Sequence, residues 1–243
     1  MLRKLILFFI LVFAETVVYA QDSYNYAQWG LGVFAGINQP YVDVKKVNQG
    51  KSFDVVGYYN YTPYMLIGLE IQSGELSGGS IVTDPSKRQF DNQYLAVFAH
   101  VDYSIGEMVD YEDNAFLSAV KDFYAGTGMG VIMNKMKFIQ RYNLDASTLY
   151  PVGTYRFPGK DNSISFAVPI RFGYEFKIYN SYGEPFIGLN IQYVHTVTFN
   201  EELDGYTDPP GVFKNNSPDQ YRQIQFGVKV NFGPTSVYDK RIN

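Results

Sequence analysis

One stretch near the carboxyl end, Tyr221–Phe232 (YRQIQFGVKVNF), constrains this chain more than any other. Ile224, Phe226, Val228, Val230 and Phe232 fall on one face of an extended segment. Tyr221, Gln223, Gln225, Gly227, Lys229 and Asn231 fall on the other. Period-two alternation marks a strand with one apolar and one more polar face. Held over about ten residues, it is also long enough for a tilted strand to cross a bilayer. A half-buried strand of a water-soluble β-protein would show the same pattern, so the rest of the chain has to decide.

Seven earlier segments repeat the alternation: Trp29–Asn38, Phe53–Tyr61, Met65–Gln72, Tyr94–Ile105, Phe123–Asn134, Ile164–Ile178 and Ile187–Phe199. Ile164, Phe166, Val168, Ile170, Phe172, Tyr174, Phe176 and Ile178 form an unbroken apolar face in the longest of them. Pro169 sits on its opposite face, and because proline has no N–H for a ladder, a local irregularity is expected there. The fold class expected from these segments is all-β, with eight antiparallel strands running up and down. Long connections (Gln39–Lys51, Ser73–Asn92, Lys135–Asn162 and Asn200–Gln220) tend to alternate with short ones. Gly106–Asp122 breaks that rule. It is as long as a loop where a turn is expected, with an acidic cluster (Asp110, Glu112, Asp113) and a helical turn expected around Ala115–Val120.

The amino terminus indicates export. Leu2-Arg3-Lys4 leads an apolar run from Leu5 to Ala14, and Val18-Tyr19-Ala20 forms a cleavage site before Gln21. The run is too short to span a membrane as a helix, so residues 1–20 read as a signal peptide and 21–243 as one domain. No later segment is apolar enough for a spanning helix, so a mature chain in lipid must be a closed barrel, which leaves no sheet edge unpaired. The 20 basic and 24 acidic residues form no basic footprint, which argues against a nucleic-acid partner. With no cysteine there is no disulfide, thiolate metal site or cysteine nucleophile. No cofactor is expected either: the glycine alternation Gly126–Gly130 has no following helix to hold a phosphate.

Three features favour lipid on the apolar face over an inverted, soluble barrel. Gly30, Gly32, Gly36, Gly126, Gly128 and Gly130 crowd the less apolar face, where a narrow barrel interior needs room. Aromatics gather beside the short turns (Trp29, Tyr59, Tyr61, Tyr64, Tyr103, Phe176, Tyr179, Tyr182 and Phe232), as an interfacial girdle would. Ile164–Ile178, at about 3.3 Å per residue and a tilt near 40°, covers more than the roughly 25 Å apolar band of such barrels. The interior then holds Glu70, His100, Asp102, Arg171, Glu175, Lys177 and Lys229, which must pair in a hydrogen-bonded network because unpaired charges there are prohibitive.

On these residues the chain resembles the small eight-stranded outer-membrane barrels, in the manner of the OmpA transmembrane domain and OmpX. Phe166–Ile178 (FAVPIRFGYEFKI) and the Gln21 that follows the cleavage site are similar to the generic barrel family of Bacteroidetes, some of whose members are secretion-system accessories. Gln225, Gly227, Val230 and Phe232 resemble the terminal signal read by the barrel assembly machinery, although here a short tail, Gly233–Asn243, follows the aromatic. The resemblance implies a Gram-negative outer-membrane location, with outer-membrane lipid, the assembly machinery and envelope or secretion-system proteins as partners. A monomer without catalysis is expected, acting through its long loops in a structural, anchoring or interaction role. Two alternatives are a lipid-modifying hydrolase and a narrow channel. His100 and Asp102 share a face two positions apart, and His195 interrupts the lipid-facing row of its strand. Outer-membrane lipid A deacylases carry a serine two residues after such a histidine, and that position here is Val197.

Overall fold

The computed structural model describes residues 23–85, 87–111, 114–145, 150–207 and 218–239. Residues 1–20, and with them the expected cleavage site, lie outside these. Eight strands form a closed antiparallel barrel in sequence order: β1 (Ser23–Tyr41), β2 (Gly50–Asn60), β3 (Met65–Gly79), β4 (Gln89–Ser104), β5 (Phe123–Ile139), β6 (Asn162–Tyr179), β7 (Pro185–Thr198) and β8 (Gln220–Asp239). β8 closes on β1 over Trp29↔Phe232 to Asn38↔Gln223, as the alternation predicts, and continues to Tyr41↔Gln220. The chain between β4 and β5 holds a 3₁₀ turn, Ile105–Glu107, and the expected helix α1 (Ala115–Val120). The Asn114 side chain caps α1 by accepting from the Phe116 and Leu117 amides.

The wall is inverted relative to a soluble protein. Leu69 is 61% exposed, Phe226 63% and Ile164 69%, while Glu70, Gln225 and Ser165 beside them are buried. Interior glycines let this narrow lumen fill. A Cβ on Gly68 would lie 2.3 Å from the His100 ring, and one on Gly227 2.2 Å from the Phe34 ring. Only because these positions lack a Cβ can the two rings lie against the wall there.

Several strands outrun their apolar runs. β3 continues through Ser73–Gly79, where Leu76 faces inward and Glu75 and Ser77 outward. The ladder continues although the apolar signal stops, because outside lipid an outward polar side chain costs nothing. The tail expected after Phe232 is a correction of the same kind: β8 runs on to Asp239, pairing Thr235–Asp239 with Ser23–Ala27 of β1. A one-residue register shift between Ala27 and Trp29 accompanies Gly233, at φ 92°, a conformation that favours glycine. At Pro169 the β6–β7 register is regular, with Pro169 opposite Thr196. The interruption falls on the β5 side, between Thr127↔Ile170 and Gly130↔Ala167, with the same register resuming beyond it. The Thr127 hydroxyl donates to the Pro169 carbonyl at 3.1 Å across that gap.

One expected girdle residue is misplaced. Tyr64 is 1% exposed and packs with Tyr26, Tyr111 and Tyr238 under the short-turn end. Trp29, Tyr61, Tyr103, Tyr179, Tyr182 and Phe232 are exposed, and Tyr59 and Phe176 partly so.

Candidate functional site

Inward-facing positions of β3, β4 and β6 place a charged cluster midway through the barrel. The Arg171 guanidinium meets Glu70 Oε2 at 2.5 Å and Asp102 Oδ1 at 3.2 Å, and its second amino group donates to Gln192 Oε1 at 2.9 Å. His100 Nδ1 lies 3.1 Å from Asp102 Oδ2, and its Nε2 3.6 Å from Glu70 Oε2. These histidine contacts are ion-pair distances rather than aligned hydrogen bonds. Glu70, His100, Asp102 and Arg171 therefore form one unit. Glu175 and Lys229 form a second, joined at 2.8 Å, with Asn190 donating to the same carboxylate at 3.2 Å. Lys177 stands apart at the short-turn end. It pairs with Asp122 at 2.7 Å, donates to the Pro63 carbonyl and lies over the Tyr64 ring. The seven residues thus make three groups rather than one network.

Amides and Asp54 join the Arg171 unit to the upper barrel, and of these residues only Gln225 is among those singled out from the sequence. Gln192 Nε2 donates to Gln225 Oε1 at 2.7 Å, and Gln225 donates to the buried Asp54 carboxylate. Gln72 donates to Glu70 and to Gln223, both at 3.0 Å, while the Tyr221 hydroxyl donates to Gln72. Strand parity alone would have found Asp54, since it alternates with Phe53 and Val55. Of the proposed assembly-signal residues, Gln225 and Gly227 face this interior, whereas Val230 and Phe232 face outward.

His195 lies on the outer face near the long-connection end. Its Nε2 contacts Gln220 Oε1 at 2.7 Å and its Nδ1 the Tyr193 hydroxyl at 3.3 Å, and Val197 follows on the same face. Among the described residues no group of three or more His, Cys, Asp or Glu is arranged to hold a metal ion.

Above the wall, the long connections fold into a cap, which the sequence reading treats only as loops. Arg88, 2% exposed, has its guanidinium 4.6 Å from the Phe157 ring centroid and 4.7 Å from that of Tyr206. Val44, Leu76, Phe90 and Leu203 are buried in the same cluster. The Tyr206 hydroxyl lies 2.9 Å from the Gln140 carbonyl and 3.1 Å from that of Gln89, its one proton serving either, and Asn92 Nδ2 donates to the Leu203 carbonyl, tying the cap to β4 and to the residue that follows β5. Burial pushes the Tyr206 hydroxyl well above the usual tyrosine range. Burial also raises the Asp219 carboxyl, helped by the nearby Asp204 and Asp43 charges, although it accepts from the Leu203 amide at 2.9 Å.

Neither protein-family models nor curated protein sequences give a match. Among solved structures, Neisserial surface protein A is similar at a TM-score of 0.45 and 12% identity, covering 86% of this chain and 99% of that one. A major outer membrane protein of Thermus thermophilus gives 0.42 and 12%, over 84% and 99%. The attachment invasion locus protein Ail of Yersinia pestis gives 0.39 and 12%, also over 84% and 99%. The strand order and register themselves establish the closed barrel here.

An exposed apolar belt around a polar, hydrogen-bonded interior is stable only in lipid, and a closed barrel is the only β-structure that can stand there. Long connections at one end, and at the other the short β2–β3 and β6–β7 turns with exposed aromatics beside them, complete an outer-membrane barrel with eight strands, the β4–β5 connection being the exception. The cap is its extracellular end, and the short turns with both strand termini are periplasmic.

Proposed function

We propose that this barrel is a non-catalytic envelope protein that acts through its extracellular cap as a binding or anchoring platform for another envelope protein. The observation that carries this reading is a set of apolar side chains that the cap leaves outside both lipid and its own core. Val82 is 72% exposed, Val152 58%, Tyr142 49%, Tyr150 47% and Leu144 43%. Four of the five, Tyr142, Leu144, Tyr150 and Val152, belong to the single connection between β5 and β6, and several exposed apolar groups on one packed connection are what an interaction site presents. The cap residues beneath them are fixed by hydrogen bonds: Asn143 Nδ2 donates to the Pro151 carbonyl and its Oδ1 accepts from the Tyr155 amide. A partner would therefore meet a preformed surface and avoid an ordering cost. The finer kinship, with OmpA- and OmpX-like or Bacteroidetes-type barrels and their secretion-system accessories, is part of the same proposal and rests on the sequence resemblance.

The test crosslinks the protein in its native envelope, with Val82→Asp and Val152→Asp variants alongside. Loss of the crosslinked partner, with heat-modifiable gel mobility unchanged, supports the reading. Retention of every crosslink in the double variant sinks it. Absence of catalysis is tested separately: replacing His100 and His195 together should leave lipid A composition unchanged, and a changed acylation pattern would restore the hydrolase reading.

A further inference from the structure

The outer wall carries a groove of about 720 Å³ across β3–β6, at the level where the strands leave the apolar belt. Two register rows define it. The lower row runs Ser73↔Leu95↔Met133↔Ile164, a small residue followed by three apolar ones. One step toward the cap, the upper row runs Glu75↔Gln93↔Lys135↔Asn162 and is wholly polar. The groove exists because the wall steps here. The β5–β6 ladder ends at Lys135↔Asn162, whereas β4 and β5 stay paired up to Phe90↔Ile139. Lys160 and Glu202, paired at 2.6 Å, overhang the step from the cap. The β4–β5 register shift at Asp91/Asn92 turns Lys137 toward Glu75, 3.6 Å away. Among the described residues, no carboxylate pairs with the exposed Lys135 ammonium between them.

From this arrangement we infer that the groove binds a phosphate-bearing lipid of the outer leaflet, with its phosphate at Lys135 and its acyl chain along Leu95, Met133 and Ile164. The occupant must satisfy both rows at once. A free anion would leave the apolar row uncovered, and a bare hydrocarbon would leave the ammonium without a counter-charge. An amphiphile whose charge sits at the top of its chains matches the vertical order of the rows, and its position matches the boundary of the bilayer. This goes beyond the cap-mediated role and rests only on the membrane placement.

The experiment uses the full-length protein in mild detergent and native mass spectrometry, with three probes: dioleoyl phosphatidic acid, dioleoylglycerol and glycerol 3-phosphate. Lys135→Glu is compared with Lys51→Glu, which reverses an exposed lysine on the outer face of β2. Phosphatidic acid should be retained one to one, about tenfold better than dioleoylglycerol, and Lys135→Glu should lower that retention about tenfold, on the scale of one to two charges at a lipid surface. Lys51→Glu should leave it unchanged. Equal loss in both variants, equal retention of dioleoylglycerol, or displacement of the lipid by equimolar glycerol 3-phosphate would each overturn the proposal. A gel mobility that does not shift on heating would overturn the membrane placement itself, and the lipid site with it. A normal shift without lipid preference would remove the lipid site alone.

Discussion

Arg171 is the residue on which the interior most depends. It is the guanidinium between two buried carboxylates, Glu70 and Asp102, and removing it leaves both without their cation. Arg171→Met should therefore destabilise the barrel by about 3–5 kcal/mol, and adding Glu70→Gln and Asp102→Asn should recover much of that, because neutral partners need no counter-charge. Urea unfolding in detergent, read by gel mobility, measures both. Size is as constrained as charge. Gly227→Ala places a methyl group against the Phe34 ring and should cost about 1–3 kcal/mol. The same change in a Phe34→Leu background should cost less. In the cap, a carboxyl raised by burial favours the folded state most when protonated. The Asp219 contribution is fully present below its ordinary value of about 4 and is lost as pH rises through its raised value. Proteolysis of the cap, normalised to an unfolded peptide at each pH, should be slower at pH 5 than at pH 8. Asp219→Asn should flatten that difference, and an unchanged difference would place the titration elsewhere.

At the scale of elements, the sequence is informative wherever lipid imposes alternation and silent where it does not. The apolar rows of Ile164–Ile178 and Tyr221–Phe232 determine face, register and closure, because one slipped residue would turn a lipid-facing row inward. Ser73–Gly79 and Gly233–Asp239 are strands of the same barrel, but both stand in water, where glycine, serine and proline are tolerated outward and mimic a loop. Parity finds the interior charges but wrongly joins them into one set, because it gives the face and not the height. Lys177 and Arg171 share a face but lie six residues apart along a tilted strand. The cap escapes a sequence reading because Val44, Arg88, Phe157 and Tyr206 come from separate connections with no shared period. The β8 extension carries a prediction of its own. Ending the chain at Phe232 removes Tyr238 from its packing with Tyr64 while leaving the ladder from Trp29↔Phe232 upward intact. The truncated protein should still insert and shift on heating, with stability lower by about 2 kcal/mol for the lost aromatic burial. Failure to insert would make the extension part of assembly.

The whole molecule is closed twice over, and the two closures have different origins. Inside the wall, Phe34, Tyr58 and Phe98 fill the lumen around the Glu70–Arg171 unit, and all are below 5% exposed. Above it, the cap packs on Arg88, Phe157 and Tyr206. A barrel of eight strands has an interior just wide enough for side chains, so the inner closure follows from strand number, while the cap is an addition of the loops. Planar-bilayer recording should therefore show no discrete conductance from the intact protein. It should stay silent when residues 140–161 are replaced by a short turn, because the block lies in the wall. Conductance from the intact barrel would restore the channel reading, and conductance only after loop removal would make the cap a gate over an open lumen. Silence in both would leave the cap free to serve as a surface, since its packing would then contribute nothing to sealing the membrane.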